Sequence, residues 1–289
     1  MNKLIAVAKL TRIEHSVMLM LAVVAAELVV GGIPPATIFV LSLLTPALVS
    51  MGAFAINDYF DVEADRANKR TSRPIVAGAI SKRSALLVAI ITFAAGSLLS
   101  IFINPYAFAI AVLFSVLAYL YSYKLKDMVL TGNVYIAFSM VIPFVYGNLV
   151  VVQSISMNII LISFVVFLSG LAREIHGMIR DKEGDIKIRR SRNLVYHLRA
   201  DKAATFALIL YLEAVAISLF MFVYSLPFMY NLVYIAPVML ANAMFVYVSL
   251  GYKFRKDRGF HDLSRNLSLA GMLIAILAFL FAALFYVYI

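Results

Sequence analysis

Nine apolar runs, each close to 20 residues long, follow one another along the chain. A helix needs about 20 consecutive apolar residues to cross the hydrocarbon core of a bilayer, so each run predicts one membrane-spanning helix. The approximate limits are 16–33, 36–56, 85–103, 106–123, 132–152, 157–178, 204–224, 229–250 and 266–288. The pattern therefore predicts an all-α, polytopic membrane protein with nine transmembrane helices.

The connections between these runs alternate between short uncharged turns and long polar segments. The long segments are 57–84, 124–131, 179–203 and 251–265. All 25 Lys and Arg residues lie in the N-terminal segment, in these long connections, or at Arg173 near the end of the sixth run. Because positive charge stays on the cytoplasmic side, the pattern predicts a cytoplasmic N-terminus, cytoplasmic long loops and an outside C-terminus in the cell membrane.

Composition supports a membrane protein and excludes several kinds of site. The chain is 64% hydrophobic and only 14% charged, whereas about a quarter of the residues in a soluble domain are charged. It contains no Cys, which excludes disulfides, thiolate metal sites and cysteine nucleophiles. The four His residues lack the spacing of a zinc site.

A first acidic cluster follows the second apolar run, where residues 57–65 read NDYFDVEAD. If the helix continues past the membrane surface, Asp58, Asp61 and Asp65 fall at positions i, i+3 and i+7 on one helical face. Three like charges on one face repel each other, and a divalent cation would offset that repulsion. Hard oxygen ligands without His or Cys suit Mg²⁺.

A second acidic cluster follows the sixth run and contains Asp181, Glu183 and Asp185. Asp181 and Asp185 are at positions i and i+4, again on one face if that helix continues. The second and sixth helices end on the same side of the membrane. The two clusters are therefore expected to face each other across a shared cavity.

Basic residues accompany both acidic clusters. They are Arg66, Lys69, Arg70, Arg73, Lys124, Lys126, Arg173 and Arg180. Carboxylate-bound Mg²⁺ together with Arg and Lys side chains is suited to bind a diphosphate and to neutralise its charge as it leaves. A diphosphate site beside an apolar interior predicts a polyprenyl diphosphate substrate.

These motifs resemble those of the UbiA superfamily of intramembrane prenyltransferases. The resemblance rests on NDxxDxxxD (57–65), KRxxRP (69–74) and DxxxD (181–185), and it covers the whole chain. Within that superfamily the chain is most similar to the archaeal-type digeranylgeranylglyceryl phosphate synthases. The segments that carry this similarity are RIEHS (12–16), GAFAINDYFDVEADR (52–66), YSYKLK (121–126), TGN (131–133), LAREI (171–175) and DKEGD (181–185).

The resemblance implies a single domain, 1–289, whose helices surround a central cavity. Two pseudo-repeated four-helix halves, about 1–124 and 125–250, would be followed by the ninth helix, 266–288. The chain departs from the subgroup at Met178 and Arg180, where many members carry acidic residues. This departure affects the prediction of the acceptor more than the prediction of the donor.

Roles for individual residues follow from the motifs and the resemblance together. One Mg²⁺ would be held by Asp58, Asp61 and Asp65, a second by Asp181 and Asp185, and Asn57 would bind a metal or a phosphate oxygen. The residues expected to contact the diphosphate are Asn57, Lys69, Arg70, Arg73, Lys124 and Tyr121. Those expected to be catalytic are Asp61, Asp181, Lys124 and Tyr146.

Loss of diphosphate would leave an allylic cation, which aromatic faces stabilise by roughly 0.5–2 kcal/mol per contact. The candidates are Tyr119, Tyr121, Tyr123 and Tyr146. Each of these tyrosines could instead serve in helix packing or in the aromatic belt at the membrane interface.

The predicted reaction is transfer of a geranylgeranyl group to geranylgeranylglyceryl phosphate, and the alternative acceptor is an aromatic quinone- or chlorophyll-type ring. A phosphate-bearing acceptor needs a second anion site. The candidates for that site are Arg189, Arg190 and Arg192, or Arg12 and His15. No nucleic acid and no obligate protein partner are expected.

A transporter is the alternative from another class, and Pro46, Pro143 and Pro237 inside apolar runs give it some support. The polar residues crowd at one membrane face, however, which favours chemistry at the interface. Two intramembrane acids, Glu27 and Glu213, are left without a role. A purely structural membrane protein would not explain two acidic motifs beside basic ones.

Overall fold

The computed structural model describes residues 3–128, 130–189, 199–255 and 257–288, and they form no β-strand. The helices are α1 (Lys3–Thr11), α2 (Ile13–Val30), α3 (Ala36–Ala67), α4 (Lys82–Ser100), α5 (Pro105–Tyr123), α6 (Thr131–Val151), α7 (Met157–Arg189), α8 (Ala200–Tyr224), α9 (Leu232–Phe254) and α10 (Arg258–Tyr288). A short 3₁₀ turn, Leu125–Asp127, follows α5. The all-α prediction is confirmed.

Within these described ranges, nine helices, α2 to α10, are long and apolar enough to cross a membrane. The predicted number of spans is therefore confirmed, and the protein is an integral, multi-pass membrane protein. Two helices continue beyond the predicted limits of their spans, α3 from 56 to Ala67 and α7 from 178 to Arg189, which is the condition for acids on one helical face. Loss of hydrophobicity marks where a helix leaves the lipid, whereas backbone hydrogen bonding can continue beyond that point.

Side-chain caps define where several helices begin. Ser81, Asn104 and Asn231 each accept a hydrogen bond from a backbone N–H in the first turn of α4, α5 and α9. These residue types satisfy backbone donors that the helix itself leaves unpaired. Local sequence therefore fixes the start of these helices independently of the membrane.

The chain divides into two compact units. The first unit is Met1–Met20 with Pro34–Lys126, and it contains α1, the beginning of α2, and α3 to α5. A cluster of buried apolar side chains joins α1, α3, α4 and the segment after α3: Leu10, Ala55, Ile56, Val62, Ile75, Ala85 and Ala89. This packing fixes the position of the polar end of α3.

The second unit is Leu21–Ile33 with Asp127–Ile289. Its larger apolar core draws on α2, α6, α7, α8, α9 and α10. Gly147 on α6 allows a close helix contact, because a Cβ atom there would lie 2.7 Å from the backbone oxygen of Val23. The predicted halves, about 1–124 and 125–250, remain a prediction.

Aromatic contacts of His176 hold α7 in place within the second unit. The imidazole of His176 stacks on Tyr252 with ring centroids 4.1 Å apart, and lies 5.7 Å from the ring of Tyr211. Its Nε2 atom is 3.4 Å from the Ser249 hydroxyl. These contacts tie α7 to α8 and α9 and give His176 a local role in packing and hydrogen bonding.

Candidate active site

The polar end of α3 places three carboxylates on one buried face. Asp58, Asp61 and Asp65 are only 2%, 8% and 2% exposed. Glu63 lies on the other side of the same helix, is exposed, and pairs with Arg66 at 3.4 Å. The i, i+3, i+7 spacing thus brings together three of the predicted metal ligands, as expected for one helical face.

Asp58 is held by basic residues from two distant parts of the chain. Arg73 donates to its Oδ1 atom at 2.7 Å, and Arg12, between α1 and α2, donates to the same atom at 3.5 Å. The Oδ2 atom is buried and has no hydrogen-bond partner within the described residues. One carboxylate oxygen therefore remains available to a ligand.

Arg12 occupies a crowded electrostatic environment. Its guanidinium lies 4.5 Å from the centroid of the Phe54 ring. Burial lowers the pKa of Arg12, the positive charge of Arg73 lowers it further, and the carboxylate of Asp58 opposes both effects. Because the guanidinium stays charged in proteins, its position depends on the neighbouring anion.

Asp65 is paired through the turn that follows α3. Arg70 donates to Asp65 Oδ1 at 3.1 Å, and the Nε atom of Arg73 lies 3.5 Å from Asp65 Oδ2. Arg73 therefore bridges Asp58 and Asp65. Lys69 has a φ of 53° and the Arg70 N–H donates to the Asp65 carbonyl, so the chain turns back sharply and brings both arginines towards the acids.

Asp61 is paired with a lysine from the 3₁₀ turn after α5. The Nζ atom of Lys126 donates to Asp61 Oδ1 at 2.7 Å, and both side chains are largely buried. Lys124, to which the sequence analysis assigned a catalytic role, is exposed. Because α5 ends at Tyr123 and a tight 3₁₀ turn follows it, Lys126 is directed towards the acids. The sequence indicated Lys126 only by its position in the segment YSYKLK.

The other predicted residues of the first unit differ in burial. Asn57 and Tyr121 are half-buried, and Lys69 is exposed. Tyr119 and Tyr123 are exposed and stack on each other, with ring centroids 6.1 Å apart. Both rings also contact Phe60 edge-on, and this arrangement favours the packing or interfacial role for these two tyrosines.

In the second unit, Tyr146 is buried in α6. The backbone of α7 remains helical through 181–185, so Asp181 and Asp185 belong to one helix, but their side chains lie outside the described part of the structure. The same applies to Arg189, Arg190 and Arg192. Met178 packs in an apolar cluster with Ile175 and Ala203 among others.

Comparison with known proteins identifies the family. The profile described as the UbiA prenyltransferase family matches residues 18–269. The chain belongs to this family. It is therefore an intramembrane prenyltransferase, and the predicted resemblance is confirmed. The family assignment favours the enzyme over the transporter and the structural protein.

Individual UbiA relatives support the same conclusion. The chain is 37% identical over 239 residues to a digeranylgeranylglyceryl phosphate synthase of Archaeoglobus fulgidus, covering 83% of this chain and 81% of the relative. It is 39% identical over 180 residues to the protein of the same name from Methanopyrus kandleri, covering 61% and 64%.

Solved UbiA structures share the fold. A structure that concerns digeranylgeranylglyceryl phosphate synthase in membranes matches with a TM-score of 0.77 and 26% identity, over 98% of this chain and 99% of that one. A UbiA homologue from Archaeoglobus fulgidus, bound to GPP and Mg²⁺, matches with a TM-score of 0.74 and 20% identity, over 98% and 100%. At that identity the second match supports the fold alone.

A metal ion held by all three of these aspartates would compete with the basic side chains that contact them. In the described part of the chain, no group of three or more acidic or histidine side chains is arranged as a metal site. Basic side chains occupy oxygen atoms of all three aspartates. The oxygen donors nevertheless fit Mg²⁺, which is commonly held by one or two carboxylates and the phosphates of a substrate.

Proposed function

We propose that the protein catalyses Mg²⁺-dependent transfer of a geranylgeranyl group from its diphosphate to geranylgeranylglyceryl phosphate, a step of ether-lipid synthesis. The observation that carries this proposal is the buried Asp58–Asp61–Asp65 face with basic side chains directed at it. The acceptor is supported by the name shared by the Archaeoglobus fulgidus and Methanopyrus kandleri relatives. The proposed donor class and metal are those bound by a UbiA homologue of the same fold, whose structure contains GPP and Mg²⁺.

The diphosphate would be bound by the basic residues that contact the aspartates. Arg70, Arg73 and Lys126 each lie within ion-pair distance of a carboxylate that would bind Mg²⁺. Their donors can turn to phosphate oxygens when the carboxylates acquire the metal, because charged hydrogen bonds to phosphate are strong. Asn57, Lys69, Lys124 and Tyr121 remain proposed contacts of the same group.

Mg²⁺ would be held by Asp58, Asp61 and Asp65, with a second ion on Asp181 and Asp185. When bound, it neutralises the charge that develops on the leaving diphosphate. The buried position of the three described carboxylates strengthens every charge interaction there, because the local dielectric constant is lower than in water.

In the transfer itself, the C1–O bond of the donor breaks and the diphosphate leaves with the electron pair. The acceptor hydroxyl oxygen forms a new bond to C1 and releases its proton. Tyr146, buried in the second unit, is the proposed aromatic contact of the allylic cation. Apolar surroundings would exclude water and so limit hydrolysis of the donor.

Orientation follows from charge. We propose that the N-terminus, the aspartate cluster and the long loops are cytoplasmic and that the C-terminus is outside, because the Lys and Arg residues lie on one side. A water-soluble diphosphate head group would then enter from the cytoplasm, while its apolar chain lies among the helices.

The test is a transfer assay with purified protein and labelled geranylgeranyl diphosphate, with and without Mg²⁺. One sample receives geranylgeranylglyceryl phosphate and the other an aromatic quinone precursor. Mg²⁺-dependent transfer to the lipid phosphate is expected. Transfer only to the aromatic precursor would show that the proposed acceptor is wrong. If the protein bound no diphosphate at all, the assigned diphosphate site would be refuted.

Variants of the two motifs complete this test. Asp61→Ala and Asp181→Ala should each abolish turnover while the purified protein stays folded. Glu63→Ala is the matched control, because Glu63 lies on the same helix as Asp61 but is exposed and pairs with Arg66. Full activity of either aspartate variant would contradict the assignment of a metal to both motifs.

A further inference from the structure

Among the side chains that the structure describes, the charges around the aspartates do not balance. Three buried carboxylates of α3 lie within 4 Å of four basic side chains, and these seven side chains form a charged cluster. Arg12 and Arg73 contact Asp58, Arg70 and Arg73 contact Asp65, and Lys126 contacts Asp61. Before any substrate binds, the cluster therefore carries one net positive charge. Since the three carboxylates are buried, salt screens their interactions less than it screens those of exposed charges.

A net positive cluster favours an anion over a free metal ion. A Mg²⁺ ion approaching alone meets one unpartnered oxygen, Asp58 Oδ2, but it would have to displace Lys126, bonded at 2.7 Å, to reach Asp61 Oδ1. The displaced ammonium group would then stand beside the metal without a counter-ion. A diphosphate supplies several negative oxygens, to which the same cations can turn.

We propose that this site takes up Mg²⁺ only together with the diphosphate, and that Lys126 is the positioning residue that keeps Asp61 from binding a free cation. This proposal rests on the proposed function. The ammonium group of Lys126 is a compact charge on a flexible stem, so it can leave Asp61 for a phosphate oxygen without movement of α3 or α5.

The proposal implies a reciprocal coupling between metal and diphosphate. If the diphosphate raises the affinity for the metal, then the metal raises the affinity for the diphosphate by the same factor. We expect a factor of at least about 100, in the upper part of the range usual for coupled sites, so that binding of the metal alone falls below detection. Removal of the positive charge of Lys126 should weaken this coupling, because Asp61 would then accept the metal alone.

The experiment measures Mn²⁺, a paramagnetic ion that also binds carboxylates, by the loss of its free electron-paramagnetic-resonance signal. Full-length protein in detergent is titrated with and without geranylgeranyl thiodiphosphate, with protein-free micelles as the blank. Subtraction of the Asp61→Asn titration isolates the ions that depend on Asp61. This subtraction removes binding at other acidic residues.

In the wild type, Asp61-dependent binding of Mn²⁺ should be absent without the thiodiphosphate and present with it. Lys126→Gln should bind Asp61-dependent Mn²⁺ without the thiodiphosphate, whereas Lys126→Arg, which keeps the charge, should behave as the wild type does. Thermal unfolding in detergent checks that the variants are folded.

Asp61-dependent Mn²⁺ binding by the wild type without the thiodiphosphate would overturn this proposal and leave the proposed function intact. A folded Lys126→Gln variant that gains no such binding would also overturn it. If the wild type binds no Asp61-dependent Mn²⁺ even with the thiodiphosphate, the proposed metal–diphosphate site fails and this proposal fails with it.

Discussion

At the scale of single residues, Asp58 shows how one carboxylate depends on distant parts of the chain. Its two arginine partners lie 46 positions earlier and 15 positions later in the sequence. Each arginine balances a charge that would be costly to bury alone. The carboxylates and their cations therefore form one electrostatic unit, and a change to one member affects the others.

Replacement of Asp58 by Asn should reduce kcat by at least about 100-fold, the usual effect of removing one group that stabilises charge in a transition state. The change removes a proposed metal ligand and leaves Arg12 and Arg73 without their shared anion. Steady-state transfer assays measure the effect, and Glu63→Gln serves as the control on the same helix. Near-normal kcat for Asp58→Asn would contradict the assigned role.

The two neighbouring lysines give a sharper comparison. Lys126→Met should weaken binding of the donor diphosphate about 10- to 100-fold, the effect expected for loss of a hydrogen bond to a charged group. Lys124→Met should have a much smaller effect, because Lys124 is exposed while Lys126 contacts Asp61. Titration with labelled donor measures the affinity of both variants for the diphosphate. A larger loss of affinity in Lys124→Met than in Lys126→Met would show that Lys124 is the principal contact.

At the scale of helices, the proposed site depends on how far α3 and α7 extend beyond their apolar spans. The stability of the bundle depends on how closely neighbouring helices pack. Alternating apolar and polar segments predicted a span that ends at about 56, and the helix itself continues for eleven more residues to Ala67. The extra turns carry all three described carboxylates. Close packing is set by glycines, which the hydrophobic pattern does not distinguish from other small residues.

Gly147→Ala should lower the free energy of unfolding by about 1–3 kcal/mol, the usual cost of overpacking. The added Cβ atom would meet the Val23 carbonyl oxygen at 2.7 Å, and backbone cannot move aside as a side chain can. Gly177→Ala is the matched control, since its nearest neighbour is a side-chain atom of Arg180 at 3.9 Å. This control should be neutral or stabilising by up to about 1 kcal/mol, because Ala favours helix.

Thermal or denaturant unfolding in detergent measures both glycine variants. Equal stability of the two proteins would show that α2 and α6 can separate at Gly147 without cost. That result would contradict the close contact that the structure places there.

At the scale of the whole molecule, the distribution of charge determines how the protein lies in the membrane. Exposed apolar side chains such as Leu87, Ile91 and Leu98 occur along α4 in the first unit, as lipid contact requires. All basic residues lie in the N-terminal segment, the long connections and their immediate borders. The diphosphate chemistry is therefore expected at one membrane face only.

This orientation can be tested with single cysteines, because the chain has none of its own. Gln153→Cys lies in a short connection and Ser72→Cys in the segment after α3, and both positions are exposed. In intact cells, a membrane-impermeant maleimide should label Gln153→Cys and should label Ser72→Cys only after permeabilisation. The opposite labelling pattern would invert the proposed topology.

The sequence by itself determined the features that depend on local periodicity. The number of spans follows from the length of apolar runs, and the shared face of Asp58, Asp61 and Asp65 follows from the 3.6-residue helical repeat. The three motifs NDxxDxxxD, KRxxRP and DxxxD, in that order along the chain, also indicated the family. None of these features requires knowledge of which helices are neighbours.

Only the tertiary structure decided which cation pairs with which acid. Arg12 reaches Asp58 because α1 packs on α3 through Leu10, and Lys126, not Lys124, reaches Asp61 because a 3₁₀ turn follows α5. Such pairings depend on the geometry of helix ends and on contacts between segments far apart in the chain. Sequence periodicity describes the face of one helix, and it contains no information about the side chains that a neighbouring segment directs onto that face.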